Sequence, residues 1–279
     1  MISLDAIDTM MASHPLPAIP LVVLEVVRGL DDAQISTTEL AHMIGRDQAT
    51  SAKLLQVANS PFYGLSRHVA TISEAIIVLG FNSVRTLAMA VGLMQVGVAA
   101  SSAAFGRKQF WRHNLLVGLC AQRMAQDLLL DRDVAFAAGL LHDIGQMGLV
   151  VCRPDDYAAI MAGGVTGDDL VEAERRVFGF DHAALGARMA QRWNFPTLIR
   201  DAIALHHSHE PEHPEPMADL VYVANWMHEA SQANLGEEGI IEFFPPGPRE
   251  RCNIGMSTIL AGLHMFESRE VSALLDWHD

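Results

Sequence analysis

The sequence predicts an all-α protein built from many helices. Apolar residues recur at three- and four-residue spacing in almost every segment, and several of these runs begin with Ser, Thr or Asp, the residues that cap helix N-termini. No segment alternates apolar and polar residues as a half-buried strand does. With 279 residues, 50% of them hydrophobic, and a mean hydropathy of +0.20, the chain can bury a substantial core.

Residues 1–105 are predicted to form a packed N-terminal subdomain of short helices. Ser36 and Glu39 have the spacing of a capping box, in which side chain and backbone at a helix start bond reciprocally. Asp47 is placed to cap the helix that follows. The predicted helices of this part span roughly residues 21–30, 36–45, 47–58, 71–79 and 82–94.

The uncharged stretch from Thr86 to Phe105 is long enough to be considered as a membrane span. It contains Gln95, two serines and two glycines, however, and much of it is alanine. This composition favours a buried helix followed by a loop of small residues. We therefore expect no membrane association.

The two helices joined near Gly45 have the arrangement of a DNA-binding helix-turn-helix motif. Arg46 and Lys53 are the only basic residues there, and the formal net charge of the chain is −14. An acidic surface repels a phosphate backbone. We interpret the pair as ordinary helix packing and expect no nucleic-acid partner.

The cysteines and the N-terminus predict a cytoplasmic location. Cys120, Cys152 and Cys252 lie far apart, without the CxxC spacing of many metal and redox sites. Core thiols of this kind are typical of a reducing compartment. The first residues contain two aspartates and no basic segment, so no signal peptide is evident.

A helix predicted from about residue 108 to 128 carries a histidine on its apolar stripe. His113, Val117 and Cys120 share one face at helical spacing, and Met124 and Leu128 continue it. His113 is therefore expected to be buried.

A second histidine stands beside an aspartate at the end of a run of small apolar residues. We expect Asp133 to cap this helix, His142 and Asp143 to end it, and Gly145 to stop it. Adjacent imidazole and carboxylate groups offer a nitrogen and an oxygen ligand to one point. That combination suits a divalent metal ion that polarises water or phosphate.

Three more histidines lie at helix ends. Asp181 is predicted to cap a helix that has His182 in its first turn, and Pro196 to start another that leads to His206 and His207. Further helices are predicted from Asp168 or Asp169 to about Phe178, from Met217 to Glu229, and as a closing pair around 259–266 and 271–275. Loops are predicted over 209–214 and 244–248. The proline-rich loop 244–248 should halt any helix or strand that reaches it.

Each buried histidine alone is usually a hydrogen-bonded core residue. Six such polar residues at helix ends and on buried faces are harder to satisfy, because every imidazole has two nitrogens that need partners. We therefore interpret His113, the His142-Asp143 pair, His182 and the His206-His207 pair as one site.

The order of these motifs resembles the HD phosphohydrolase superfamily. In the N-terminal half, several short motifs resemble more narrowly the HDOD family, an HD-related output domain of bacterial signalling. They are Ile19-Pro20, residues 36–40, Ala58-Asn59-Ser60 with Phe62-Tyr63-Gly64, and residues 72–76 followed by Leu79-Gly80. The resemblance also includes Gly186, Trp193 and Pro196, and it covers about residues 12–230.

The resemblance implies a multi-helical, HD-superfamily-like domain in three parts. Residues 1–105 would be its N-terminal helical part, residues 106–230 the core with the His/Asp cluster, and residues 231–279 helices packed on that core. It also implies a regulatory module whose partners are signalling proteins, namely kinases, receiver domains or cyclic-dinucleotide enzymes.

Compared with the related HD-GYP phosphodiesterases, the resemblance implies a set of metal ligands: His113, His142, Asp143, His182, His206 and His207. One or two divalent transition-metal ions, Fe, Mn, Zn or Ni, would be bound there.

Three positions depart from the pattern of those enzymes. Asn225, one turn after Val221, stands where the closing aspartate ligand is expected, Gln146 replaces a lysine, and Gln109 replaces a glutamate found in some enzymes. Asn225 could still be a metal ligand through its amide oxygen, but it brings no charge, so the ion would be held less tightly. The loop after His207 also lacks the GYP motif.

Two functions follow from this resemblance. The first is a signalling and interaction module with a partly retained metal site and little or no hydrolase activity, since each departure removes a charge or a substrate contact. The alternative is a metal-dependent phosphohydrolase or phosphodiesterase acting on a nucleotide or cyclic dinucleotide. In that case Asp143 would be the catalytic residue, bridging two ions that activate a hydroxide for attack on phosphorus.

Overall fold

The computed structural model describes residues 4–14, 16–31, 35–59, 65, 67–94, 105–208, 215–233, 235, 237–244 and 246–267. Throughout these residues the secondary structure is helical and no strand occurs, which confirms the all-α prediction. The chain forms two compact units. The first comprises residues 1–18 and 97–266, and the second residues 19–96 and 267–279. The three-part domain organisation inferred from the resemblance stays a prediction.

Among its described residues, the second unit contains five α-helices and one short 3-10 helix. The α-helices are α2 (Leu21–Arg28), α3 (Thr37–Gly45), α4 (Gln48–Ala58), α5 (Ile72–Leu79) and α6 (Phe81–Leu93). The capping box is present as predicted: Ser36 accepts a bond from the Glu39 N–H, and Glu39 accepts one from the Ser36 N–H. Asp47 caps α4. These caps fix the helix starts because they satisfy N–H groups that no helical carbonyl reaches.

The first unit contains the remaining helices. They are α1 (Leu4–Ser13), α7 (Arg107–Asp127), α8 (Arg132–Leu141), α9 (Ile144–Cys152), α10 (Pro154–Met161), α11 (Gly167–Phe178), α12 (His182–Arg192), α13 (Thr197–Leu205), α14 (Pro216–Gln232), α15 (Glu237–Glu242), α16 (Pro246–Arg251) and α17 (Met256–Glu267). Helix α8 packs along α7, and α13 and α14 pack against α8. Helix α12 joins this core through α9 and α13.

Two expectations about the helix around residue 140 are wrong. Asp131, not Asp133, is its N-cap, and it accepts bonds from the N–H groups of Asp133 and Val134. Gly145 does not stop the helix, because the chain has already turned at His142-Asp143 and Gly145 lies within α9.

Two further helix boundaries differ from the sequence prediction. Helix α11 begins at Gly167, so Asp168 and Asp169 occupy its first turn instead of its cap. The proline-rich segment does not halt every element, since α16 begins at Pro246. Proline is tolerated at a helix start, where its missing N–H would have no partner. The predicted loop 209–214 and the helix around 271–275 lie outside the described residues.

The uncharged stretch starting at Thr86 forms the buried helix α6 as far as Leu93, and residues 95–104 lie outside the described part. Among the described residues, one stretch, Arg132–Cys152, is apolar and long enough to cross a membrane. Its most apolar window has a mean hydropathy of 1.5 and is 89% buried inside the protein, as a core helix would be.

Candidate metal centre

A pair of glycines lets α7 and α8 lie close together. A Cβ atom on Gly139 would stand 2.7 Å from the Cα of Gly118, a distance that packed atoms do not tolerate. The close approach brings His113 of α7 beside His142 at the end of α8, with 3.2 Å between their Nε2 atoms. The two histidines predicted from separate helices therefore meet.

A third glycine brings α9 onto α12. A Cβ atom on Gly145 would collide with the carbonyl oxygen of His182 and stand 2.7 Å from the N of Gly186. Gly145 is thus required for contact and not for ending a helix. The result is that the α8–α9 junction, where Asp143 lies, is held against the first turn of α12 and its His182.

The rings of His142 and His206 are oriented by the same kind of hydrogen bond. Each follows the last residue of a helix, and its Nδ1 donates to the carbonyl three residues earlier: Gly139 at 2.7 Å and Ile203 at 2.8 Å. Those carbonyls are among the last of a helix, which have no helical N–H partner. Because Nδ1 carries the proton, Nε2 of each ring presents a lone pair.

His182 is oriented by a buried carboxylate. Its Nδ1 donates to Oε2 of Glu174 at 2.7 Å, and its backbone N–H donates to the same oxygen at 2.8 Å. Glu174 belongs to α11 and is fully buried. This is the carboxylate–histidine arrangement that surrounds many metal ions, and it directs the Nε2 lone pair of His182 away from Glu174.

All four of these Nε2 atoms converge on the carboxylate of Asp143. His182 and His206 face Oδ1 at 3.2 Å and 3.4 Å. His113 and His142 face Oδ2 at 3.5 Å and 3.4 Å. Each oxygen of Asp143 therefore belongs to a different ligand group, as a carboxylate that bridges two ions would.

The donor set and its spacing fit two divalent metal ions. One group consists of Asp143, His182, His206 and His207, and the other of His113, His142 and Asp143. Ligands about 2.1 Å from a shared metal ion stand about 3.0–3.4 Å apart in octahedral or tetrahedral geometry, close to the distances observed. Lone pairs pointing at one another and at a carboxylate repel, whereas a cation between them would satisfy all of them.

Burial favours the neutral imidazole forms of His113 and His142, the two histidines near Oδ2 of Asp143. Burial, together with the other histidines, lowers the pKa of His113 and of His142 to about 4. Burial alone would raise the pKa of Asp143, but the imidazoles, His142 first, hold it well below its usual range. These three groups are therefore in the protonation states that bind a metal.

His182 behaves differently from the other histidines. Burial would lower its pKa, but the carboxylates of Glu174 and Asp143 raise it well above the usual range. Without a metal ion His182 therefore holds a proton between two carboxylates. A divalent cation would take the place of that proton.

His207 and His113 each have a neighbouring polar group at Nδ1 that is less buried than Glu174: Asp168 for His207 and His228 for His113. Nε2 of His207 lies 3.1 Å from Nε2 of His182, and its Nδ1 lies 4.0 Å from Oδ1 of Asp168. Nδ1 of His113 lies 2.9 Å from Nδ1 of His228, so one proton is shared between the two rings. A proton on Nδ1 of His113 leaves its Nε2 free toward Asp143.

The three departures from the enzyme pattern lie in different environments. Asn225 is 5% exposed and its Oδ1 has no hydrogen-bond partner in the described part of the chain. Gln146 is buried, and its Oε1 accepts a bond from the hydroxyl of Tyr157 at 3.1 Å. Gln109 is exposed on α7, so the structure gives it no place among the converging side chains.

A cavity of about 300 Å³ lies beside the ligand group that contains His206 and His207. Its lining includes His206, His207 and Asn225, the aromatic rings of Tyr222 and Trp226, and the carboxylates of Asp168 and Glu229. No lysine or arginine is among these lining residues. Anion binding there would depend on bound metal ions.

Glu174, Asp168, His228 and Glu229 were missed by the sequence analysis. A signal for Glu174 exists, since it lies at helical spacing with the buried Leu170, Val171 and Phe178 of α11. A charged residue on such an apolar face is rarely buried without a partner. The other three become visible only when α11, α7 and α14 are brought together.

The fold and the site together define an all-helical domain with a buried cluster of histidine and aspartate side chains that could hold metal ions. The family model of the HDOD domain matches residues 16–209. The chain therefore belongs to the HDOD family, as its motifs predicted.

Individual comparisons agree with that assignment. A crystallised HDOD domain protein of unknown function from Geobacter sulfurreducens superposes with a TM-score of 0.81 at 24% identity, covering 98% of this chain and 97% of that one. A candidate phosphohydrolase from Shewanella amazonensis SB2B gives 0.76 at 22% identity, covering 97% and 96%. At these identities the likeness establishes the fold.

A relative in sequence is an uncharacterized protein of Treponema pallidum. It is 28% identical over 224 residues, which are 75% of this chain and 41% of that protein. The chain therefore spans less than half the length of this relative.

Proposed function

We propose that the protein is a signal-transduction domain of the HDOD family that binds two divalent transition-metal ions and has little or no hydrolase activity. One observation carries the metal-binding part: imidazole nitrogens of fixed tautomer converge on both oxygens of Asp143. His113 and His142 would hold one ion and His182, His206 and His207 the other, with Asp143 shared.

The residues around the cavity support binding more than turnover. No lysine or arginine is among its lining residues, and the side-chain oxygen of Gln146 already accepts a hydrogen bond from the hydroxyl of Tyr157. Asn225 contributes no charge of its own. A phosphate ester hydrolysed at this site would find no lysine or arginine to neutralise the charge that develops in the transition state.

Metal content measured by elemental mass spectrometry tests the proposal. Protein purified without added metal or chelator, or reconstituted afterwards, should hold two equivalents. Asp143→Asn should lose most of both, because the shared ligand loses its charge. Asp155→Asn, at an exposed site on α10, is the matched control. Equal metal content in wild type and Asp143→Asn would contradict the assignment.

A second candidate function, metal-dependent phosphohydrolase or phosphodiesterase, is favoured by the cavity that opens onto His206 and His207. Bound divalent ions would supply Lewis acidity and acidify water. The histidines would hold their positions through their Nδ1 partners, and Tyr222 and Trp226 would flank the substrate. Hydrolysis of nucleotides or cyclic dinucleotides by the reconstituted wild type would establish it. Activity that appears only in Asn225→Asp would indicate a degraded enzyme.

We also propose that kinases, receiver domains or cyclic-dinucleotide enzymes are the partners of this domain. Membership of the HDOD family supports this. A two-hybrid screen against the signalling proteins of the source organism tests it. Interaction with none of these three classes would contradict it.

A further inference from the structure

We propose that Glu229 is a positioning residue that turns the amide oxygen of Asn225 toward the metal centre and supplies the negative charge that Asn225 lacks. The proposal rests on metal binding as proposed above. It concerns a residue pair on α14, in which the expected single aspartate is replaced by an amide and a carboxylate one turn later.

The geometry fixes the orientation of the amide. Asn225 and Glu229 are four residues apart and share a face of α14. Nδ2 of Asn225 donates to Oε1 of Glu229 at 3.3 Å. The reversed amide would place two oxygens at that distance, one of them a carboxylate oxygen, and the contact would be repulsive. Ionised Glu229 therefore selects the orientation in which Oδ1 points away from it.

The oxygen that is turned away has no other use in the described part of the chain. Asn225 is 5% exposed, and its Oδ1 accepts no hydrogen bond there. A buried amide oxygen without a donor costs free energy. The Asn225 side chain also lies against His113, whose pKa it helps to raise against the dominant effect of burial. Oδ1 is thus available to the ligand group of His113, His142 and Asp143, which it would complete to four.

Glu229 has few other stabilising contacts. It lies in the cavity wall beside Tyr222, Trp226 and Asp168, and within the described residues no lysine or arginine pairs with it. A largely buried carboxylate with only an amide partner is costly unless a cation is near. An ion held through Asn225 would be that cation. Glu174 acts in the same way on His182, so the two ligand groups would each have a supporting carboxylate.

Titration of the metal-free protein with Co²⁺ tests the proposal, with calorimetry for affinity and the visible absorption of bound Co²⁺ for coordination. Glu229→Gln should weaken one of the two equivalents by about tenfold or more, the usual effect of losing a supporting group. Glu238→Gln, at an exposed position of α15, is the control and should bind as the wild type does.

The discriminating variant is Asn225→Asp combined with Glu229→Gln. In the Asn225→Asp background the carboxylate at 225 supplies its own charge and leaves no amide to orient, so adding Glu229→Gln should change Co²⁺ affinity much less than it does beside Asn225. The size of the effect of Glu229→Gln therefore depends on the residue at 225. A purely structural role of Glu229 gives the same loss of affinity in both backgrounds.

Three outcomes overturn the proposal. Unchanged Co²⁺ affinity in Glu229→Gln, or an equal loss of affinity in both backgrounds, overturns it while leaving the two-metal centre in place. A wild type that takes up no Co²⁺ removes the proposed metal binding and this inference together. Circular dichroism of each variant ensures that all comparisons are made between folded proteins.

Discussion

Replacing Glu174 by glutamine should weaken one metal site and leave the other nearly unchanged. The side chain keeps its size, so the packing of α11 is preserved, but the buried charge that orients His182 is lost. Glu174 accepts two hydrogen bonds from that residue, at 2.7 Å from the ring and 2.8 Å from the backbone. No corresponding bond runs from Glu174 to His113 or His142 in the described structure.

The magnitude follows from the number and kind of these bonds. Loss of a supporting group costs about 10–100-fold in metal affinity, or about 1.4–2.7 kcal/mol. We expect the upper half of that range, because both bonds are short, fully buried and made to a carboxylate. The ion shared by His182, His206 and His207 should be the one affected.

Calorimetric titration of metal-free protein with Mn²⁺ or Zn²⁺ measures the effect. Wild type should show two equivalents of comparable affinity, and Glu174→Gln one strong and one weakened equivalent. Glu172→Gln, exposed on the same helix, should match wild type. If Glu174→Gln binds both equivalents as tightly as the wild type does, Glu174 does not set the orientation of His182 and the reasoning fails.

Three further outcomes are expected. Gly139→Ala should destabilise the protein by about 1–3 kcal/mol in chemical denaturation, because its Cβ would press on Gly118. Asp131→Ala should cost about 1 kcal/mol and lower Tm, since two N–H groups lose their cap. Metal binding should release the proton that His182 holds, as measured by calorimetry in buffers of different ionisation enthalpy.

The controls for these predictions lie in the same chain. Gly45→Ala has open space around the new Cβ and should not destabilise. Proton release should fall in Glu174→Gln, because the first carboxylate that raises the pKa of His182 is gone. His113 and His142, whose pKa values are about 4, should release none. Metal binding without release of a proton would contradict the assignment of His182.

The sign of the pH effect on the metal-free fold follows from the same shifts. The pKa values of His113 and His142 are depressed, so their contribution to stability is present above about pH 6.5 and is lost as pH falls toward 4. The pKa of His182 is raised, so its contribution is present below pH 6.5 and is lost only as pH rises through that higher value. Both contributions are present near pH 6.5, so the metal-free protein should be most stable near that pH.

Helical spacing and capping residues indicated several of the residues that the structure brings together, and the resemblance to the HD-GYP phosphodiesterases implied that they are metal ligands. The apolar stripe of α7 located His113, and capping residues located the helix ends that carry His182 and His206. The helix end at His142-Asp143 was predicted, but the new helix that begins at Ile144 was not, because Gly145 was interpreted as a terminator. Gly145 instead allows close contact with His182. This contact depends on how α9 packs on α12, which cannot be predicted from the local sequence.

The supporting groups were harder to predict for a related reason. Glu174 and Asp168 come from α11, whose relation to the histidines is set by packing between helices distant in sequence. Asn225 was recognised as a departure, but its partner Glu229 was not. A negative charge expected at position 225 can be supplied one helical turn later, at position 229. A position-by-position comparison with a motif does not detect such a change.

The break between α8 and α9 has a consequence for synthesis of the chain. The stretch Arg132–Cys152 is apolar enough to be inserted into a bilayer as one helix, and Asp143 stands near its middle. An aspartate there opposes insertion by about 3 kcal/mol on translocon scales. The residue shared by the two ligand groups therefore also makes insertion of this stretch into a bilayer less favourable. Replacements at His142 and Asp143 should be polar isosteres, because leucine or alanine would alter this sorting as well as the centre.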